Sequence, residues 1–227
     1  MGVFIGIEGG DGSGKATQAE LLSTHFLETL GKEVLKLSFP QYGTSSAYFA
    51  EQYLNGAYGE NADEVPAELA SLAYALDRYA ASSDIRKTLA IPDSVIISDR
   101  FVASNLAHQG SKFSDTATRH EFYDRMLHTE HEILGIPRPD LSLVLVVPTE
   151  TAQQNVDSKE TRSYTERKRD IHEADASHLD RTKANYLELT ELYPDQFTPV
   201  FCTDEKGEMR TRASIQAEIF KAVQHLL

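Results

Sequence analysis

The stretch Val3 to Gln18, VFIGIEGGDGSGKATQ, constrains this chain more than any other. It opens with an apolar run, Val3-Phe4-Ile5-Gly6-Ile7, short enough for a buried parallel strand. Gly9-Gly10-Asp11-Gly12-Ser13-Gly14 follows, a turn dense enough in glycine to point successive backbone N–H groups inward. From Lys15 the pattern turns helical: Leu22, Phe26 and Leu30 fall four apart, flanked by Leu21 and Leu27. Strand, glycine turn, lysine and helix, in that order, form the setting of a phosphate-binding loop. Loop amides, the positive end of a helix and one ammonium group surround an anion there. The strict pattern G-x-x-x-x-G-K-[ST] fails at one letter, because Ala16 stands at the hydroxyl position and Thr17 comes next. The competing reading is a glycine turn that binds nothing; the strand before it and the helix after it argue against that.

Length and composition then narrow the field. A chain of 227 residues suits one large α/β domain or two small ones, and no Pro/Gly/Ser-rich linker divides it. A single domain over 1–227 is therefore expected. The net charge of −13 is opposite to the basic footprint of a duplex nucleic-acid binder, so no nucleic-acid partner is expected. One cysteine, Cys202, leaves no internal disulfide and no cysteine metal cage, and fits a reducing cytoplasm. No apolar run approaches the roughly 18 residues of a membrane span, and the N-terminus has no basic leader. The expectation is a cytoplasmic protein with no membrane partner.

Along the chain, Gly31 is placed to cap the first helix, and Glu33 to Ser38 reads as a second strand ending at Phe39-Pro40. A helix starting near Ser45 and stopping at Asn55-Gly56 comes next, then a long helix from Pro66 to about Leu89. On that helix Leu69, Leu72, Ala73, Leu76 and Ala80 line one face, while Tyr74 and Arg78, four apart, share another. Tyr74 by itself reads more readily as a packing aromatic than as a ligand contact. Ser94 to Ser98 is a third strand, ending in Asp99-Arg100. The carboxyl end of a parallel strand is where doubly wound sheets bind ligands. Asp99 there suits an attacking oxygen or the water shell of Mg²⁺, and Arg100 suits a phosphate. The bland alternative for this pair is a surface ion pair worth little.

Ser114 reads as the cap of a helix to about Leu134, Leu141 to Val147 as a fourth strand, and Pro148 as its end, before a short helix. From Ser158 to His172 the apolar period vanishes, and Lys159, Arg162, Arg167, Lys168 and Arg169 make the densest positive run of an acidic chain. Such runs are commonly plain solvated surface. In a chain with a phosphate loop, a basic segment is also suited to folding over a nucleotide as a lid, here about 158–174. Asp175 is placed to cap a helix through Leu192; Phe197 to Thr203 is a fifth strand, and Thr211 caps a last helix. Strand and helix alternate to five strands, which implies a parallel sheet with helices on both faces.

With these pieces in place, the chain resembles the thymidylate kinases of the P-loop nucleoside monophosphate kinase class, over most of its length. The family's IEG-x-D-G-x-G-K-x-T-Q loop matches Ile7 to Gln18, and its Phe-Pro matches Phe39-Pro40. Its aromatic and arginine four apart match Tyr74 and Arg78. Its Asp-Arg-aromatic signature matches Asp99-Arg100-Phe101, with Ser104 and then His108-Gln109-Gly110 after it. Its Arg/Lys-Pro-Asp-Leu matches Arg138 to Leu141, and its basic lid with Asp-Ile-His-Glu matches Arg162 to Glu173. Only the loop is specific alone; the order and spacing of all the motifs together are.

The resemblance implies a three-layer P-loop fold and phosphoryl transfer from ATP to dTMP with Mg²⁺, in a homodimer. It implies that Gly10, Asp11, Gly12, Ser13, Gly14, Lys15, Ala16 and Thr17 hold the ATP phosphates. It places dTMP against Asp11, Phe39, Tyr74, Arg78, Arg100, Ser104, His108 and Gln109. Asp11 meets the 3′-hydroxyl, Tyr74 stacks on thymine, Arg78 meets its carbonyl edge and Arg100 takes the acceptor phosphate. Lys15, Asp99, Arg100 and the lid arginines Arg162 and Arg167 carry catalysis, and no direct protein ligand for Mg²⁺ is implied, with Asp99 acting through water. Elementary electrostatics agrees: two polyanions must be brought together by placed positive charge.

Three residues depart from the family pattern. Ala16 removes the usual hydroxyl at Mg²⁺, Gln41 replaces an arginine near the acceptor phosphate, and His108 replaces a tyrosine beside the sugar. They keep two other readings open: a kinase for another nucleotide or a deoxynucleoside, and a nucleotide-binding regulator with impaired catalysis.

Overall fold

Five short runs rich in Val, Ile and Leu become five parallel strands, in the order β2-β3-β1-β4-β5. They are β1 Val3–Gly9, β2 Val34–Ser38, β3 Val95–Asp99, β4 Leu141–Val146 and β5 Phe197–Phe201. This computed structural model describes residues 1–59, 61–157 and 176–227. Parallel strands need crossovers, and the described helices supply them: α1 Lys15–Thr24, α2 Tyr48–Leu54, α3 Ala67–Leu89, α4 Val102–Gly110, α5 Thr116–Leu127, α6 Thr149–Asp157, α7 Ala176–Leu192 and α8 Arg212–Val223. None of them is long and apolar enough to cross a membrane.

Side chains alternate across each strand, so the sheet makes two cores. Ile5, Ile7, Val95, Ile97 and Leu143 pack with Leu22, Phe26, Ile215 and Ile219 of the α1 and α8 side. Phe4, Ile96 and Val144 pack with Leu106, Phe122, Tyr123 and Leu189 of the α4, α5 and α7 side. The central strand β1 pairs β3 on one edge and β4 on the other, and Ile7 lies opposite Asp99. The glycine turn and the Asp99-Arg100 pair therefore leave the sheet side by side, at its switch point. On the α4 side, Glu188 of α7 takes both arms of Arg119 at 2.8 Å, His120 at 2.9 Å and Tyr123 at 3.2 Å. Arg119 above all holds the Glu188 carboxyl down at about 2. This clamp ties α7 to α5 and so fixes the helix that brings Tyr186 to the site.

The structure corrects several expectations. α4 is a helix where the sequence suggested none. The cap of α5 is Asp115, whose carboxylate accepts the Thr118 N–H at 2.8 Å, rather than Ser114. A π-helical turn, His128–Ile133, then continues the helix. The leucine stripe of α3 faces outward: Leu69, Leu72 and Leu76 are exposed, and the packed side is Ala70, Ala73, Asp77, Arg78, Ala81 and Ile85. Small residues let α3 approach α4 closely, and the bulky leucines are left on the outside. Thr211 caps α8 as expected, accepting the Ser214 N–H at 3.1 Å. Asp175 lies outside the described residues.

Candidate active site

The loop between β1 and α1 takes its shape from glycines in the left-handed region, Gly12 at φ 77° and Gly14 at φ 90°. Gly12 is also a close approach: a Cβ there would lie 2.1 Å from the Ala152 carbonyl oxygen of α6. Asn155 of α6 donates to the Gly12 carbonyl at 2.8 Å. At the start of α1, buried Lys15 folds back so that Nζ donates to the Gly10 carbonyl at 2.6 Å. Gly14 caps that helix with no side-chain bond, which leaves the helix N-terminus and Lys15 facing the cavity together.

Arg100 follows β3 with a left-handed backbone, φ 67°. Its guanidinium bonds Asp11 of the loop, the Gly9 carbonyl at 3.4 Å and the Ser104 hydroxyl at 3.3 Å. Burial opposes the charge of Arg100, but Asp11 together with Tyr186, Asp99 and Tyr42 outweighs it and keeps the guanidinium firmly protonated. Asp99 lies next to it, with a buried Oδ1 that has no hydrogen-bond partner among the described residues.

One cavity of about 630 Å³ runs across this centre. At one end stand Phe39, Tyr74, Arg78, Asn105 and His108. Arg78 is buried and paired bidentately with buried Glu130, both bonds at 2.6 Å, and lies over the Phe101 ring at 5.8 Å. Asn105 donates to the same Glu130 at 3.1 Å, which fixes its amide with Oδ1 left without a partner among the described residues. Tyr74 is half-buried, edge-on to Tyr53 at 6.2 Å. His108 sits beside His178 at 3.3 Å, and burial first, then Arg100, pushes its imidazole well below the usual range, so the ring is neutral. At the other end stand Gln18, Met209, Arg210, Arg212 and Ile215.

The loop residues Asp11 to Thr17, with Phe39, Tyr74, Arg78, Asp99, Arg100, Ser104 and His108, all border this one cavity. Gly10 borders a small pocket behind it. Gln109 does not line the cavity: it is fully buried beneath it, taking the Tyr53 hydroxyl at 3.4 Å. Gln41 also turns away, because its N–H and side-chain amide both bind Asp77 of α3, at 2.8 and 3.0 Å. Arg162 and Arg167 lie outside the described residues. Sequence reading missed Asn105 and Glu130. The signal for Asn105 was its place with Ser104 and His108 at helical spacing after Asp99-Arg100. Glu130, within HTEHEI, gave none.

Comparison with known proteins agrees with this geometry. The family model for thymidylate kinase matches residues 7–213. The chain is 38% identical to the thymidylate kinase of Mycobacterium tuberculosis over 188 residues, 82% of this chain and 85% of that one. It is 31% identical to that of Caulobacter vibrioides over 197 residues, 86% of each chain. Its fold is similar to the crystal structure of thymidylate kinase from Ehrlichia chaffeensis, with a TM-score of 0.68 at 20% identity, covering 98% of this chain and 99% of that one. It is likewise similar to the Candida albicans thymidylate kinase, with a TM-score of 0.69 at 22% identity, covering 99% and 92%.

Proposed function

The chain belongs to the thymidylate kinase family, and from that premise we propose that its cavity transfers the γ-phosphoryl group of ATP to dTMP, giving dTDP and ADP. The observation that carries the reading is the order of groups along one cavity. A ring and fixed polar edges stand at one end, Lys15 with the loop amides and Arg100 in the middle, and Met209, Arg210 and Arg212 at the other end.

An acceptor phosphate oxygen attacks the γ-phosphorus, and the bond from that phosphorus to the β–γ bridging oxygen breaks. Such a transfer needs positioning and charge more than covalent help from the protein. Lys15 and the N–H groups of the loop hold the β- and γ-phosphates. Arg100, swung from Asp11 to substrate, holds the acceptor phosphate, and released Asp11 meets the sugar hydroxyl. Tyr74 stacks on thymine. Arg78 and the Oδ1 of Asn105 meet its polar edge, where a ring N–H needs an acceptor. Arg162 and Arg167 add charge at the transferring group.

The residues fit Mg²⁺ as well. The buried, unpartnered Oδ1 of Asp99 is the acceptor that would hold a water of the ion, while Ala16 offers nothing. When bound, Mg²⁺ neutralises phosphate charge as it develops. We also propose one domain over 1–227, a homodimer, and a cytoplasmic setting for a chain with one buried thiol, Cys202. The dimer rests on the outward stripe Leu69, Leu72, Leu76 and Tyr79, half-exposed on α3, because contiguous exposed apolar surface marks an interaction face.

The test is an acceptor panel. With ATP and Mg²⁺, ADP release is measured against thymidine, dTMP, dUMP, dCMP, dAMP and UMP. dTMP is the best acceptor and dUMP a weaker one. Turnover of thymidine but not dTMP overturns the reading, and ATP binding without turnover points to a regulator. Lys15→Ala removes turnover in the same assay, by about a thousandfold or more, since no water replaces its charge.

A further inference from the structure

Glu8 stands at the end of β1, immediately before the phosphate loop, and its carboxylate is completely buried. Alternation along the strand puts it on the Phe4 side of the sheet, where α4 packs. Its Oε1 accepts the backbone N–H of Phe101 at 2.9 Å and of Ala103 at 3.1 Å, and its Oε2 takes the Ser104 hydroxyl at 2.5 Å. Phe101, the cap position of α4, makes no side-chain cap of its own. A carboxylate from another strand therefore closes the N-terminus of α4, and two of the N–H groups there, of Phe101 and Ala103, are already occupied by an internal anion.

The polarity of this array follows from what each group can do. Arg100 donates to Ser104 Oγ at 3.3 Å and has no acceptor to offer. The Tyr186 hydroxyl, from α7, lies 2.8 Å from the same oxygen. Ser104 has one proton, which it gives to Glu8 Oε2, so Tyr186 donates to Ser104 and Ser104 to Glu8. Burial raises the Glu8 carboxyl, and Ser104, Arg100 and the Phe101 N–H oppose that rise. The backbone repeats the pattern: the Arg100 N–H bonds the Ile7 carbonyl at 2.9 Å, so β1 pins the turn carrying Arg100 at two successive residues.

We propose that Glu8 is a positioning residue of the acceptor-phosphate site, setting the guanidinium of Arg100 through the first turn of α4 and the Ser104 hydroxyl without touching substrate. This rests on the functional reading above. It also accounts for the acceptor phosphate falling to a side chain, since Glu8 holds the Phe101 and Ala103 amides at the start of α4. In Glu8→Gln the amide has no good orientation. Its NH₂ either faces two backbone N–H donors or points at Ser104 and reverses the proton there.

The test is steady-state kinetics of wild type, Glu8→Gln and Glu8→Asp with ATP and dTMP varied separately, alongside melting temperatures. In Glu8→Gln the kcat/KM for dTMP falls on the order of tenfold or more, while the KM for ATP moves less than about twofold. Glu8→Asp, which keeps the charge, recovers part of the loss. Parallel losses for both substrates in proportion to lost folded protein, or no loss, overturn the proposal. If Glu8→Gln does not fold, Tyr186→Phe decides: a loss confined to dTMP supports the array, and unchanged dTMP kinetics overturn it. An active wild type with an unchanged variant refutes this role alone; a wild type inert towards dTMP refutes the functional reading and this role with it.

Discussion

At the Tyr74 end of the cavity the charged side chains are buried and matched inside the protein. Arg78 and Glu130 are 2% and 1% exposed and form a two-bond pair, and Glu8 and Asp77 are spent on the neighbouring turns. At the Arg210 end the same chemistry lies at the surface. Arg210 pairs with Glu218 at 2.5 Å, but their side chains are 22% and 41% exposed, and Arg212 is exposed. Both ends are ordered by ion pairs, yet only the first has removed them from water. Buried donors cannot turn to suit a different ligand, so the Tyr74 end is built to discriminate. The Arg210 end can adapt, which suits a donor held mainly by its phosphates at the loop.

The sharpest way to break this contrast is Glu130→Gln. Removing one partner of a buried pair leaves the Arg78 charge uncompensated, which costs about 3–5 kcal/mol. For a domain of this size that lowers the melting temperature by roughly 6–20 °C. Scanning calorimetry at neutral pH measures it. A melting temperature within about a degree of wild type would mean that the Tyr74 end is no more rigid than the other.

The same contrast explains what the sequence could show. The phosphate loop and the ends of β1 and β3 were legible because they depend on backbone geometry, which glycines and an Asp-Arg pair announce by spacing alone. α4 was not. All of its residues from Val102 to Gly110 are buried, so it has no water-facing stripe, and its polar residues Ser104, Asn105 and His108 face the cavity. The α3 stripe was read at the right period, but the sequence did not say that it faces outward, since periodicity shows that a face is apolar, not what covers it. Glu130 looks like any surface glutamate in the sequence, and Glu8 shows there only as a letter of the loop motif. Their meaning comes from partners 52 and 93 residues away, Arg78 and Phe101.

Next in size is Tyr74→Ala. It removes one base–aromatic stack, so dTMP binding weakens by about 1–3 kcal/mol while ATP binding stays put. Titration calorimetry with each nucleotide separates the two. Equal losses for both would make Tyr74 a packing partner of Tyr53 and nothing more.

Ala16→Ser tests the centre of the cavity, between the two ends. The hydroxyl after the loop lysine is usually a Mg²⁺ ligand, but the ion keeps several waters and takes much of its coordination from substrate phosphates. One further water offsets the missing hydroxyl, so the restored serine tightens the apparent Mg²⁺ dependence by less than about tenfold, or about 1.4 kcal/mol. A wild type that is inert until Ala16→Ser restores transfer would make the natural chain a binder.

The smallest effect belongs to Glu218→Gln, the same substitution as Glu130→Gln at the opposite end. Arg210 keeps its bonds to the Phe201 carbonyl at 2.7 Å and to Ser214 at 3.1 and 3.2 Å when Glu218 loses its charge. Water reaches both partners and takes over the lost contact, so no charge is left buried and unpaired. The pair is therefore worth about 0.2–1 kcal/mol, and the ATP KM moves by less than about fivefold with the dTMP KM unchanged. Raising the ionic strength shrinks even that difference, because an exposed pair is screened. The Glu130→Gln penalty persists at the same salt, since the Arg78 pair is 2% and 1% exposed and is screened little. Measuring both variants at low and high salt thus turns the contrast between the ends into one number for each. A Glu218→Gln penalty as large and as salt-resistant as that of Glu130→Gln would erase it.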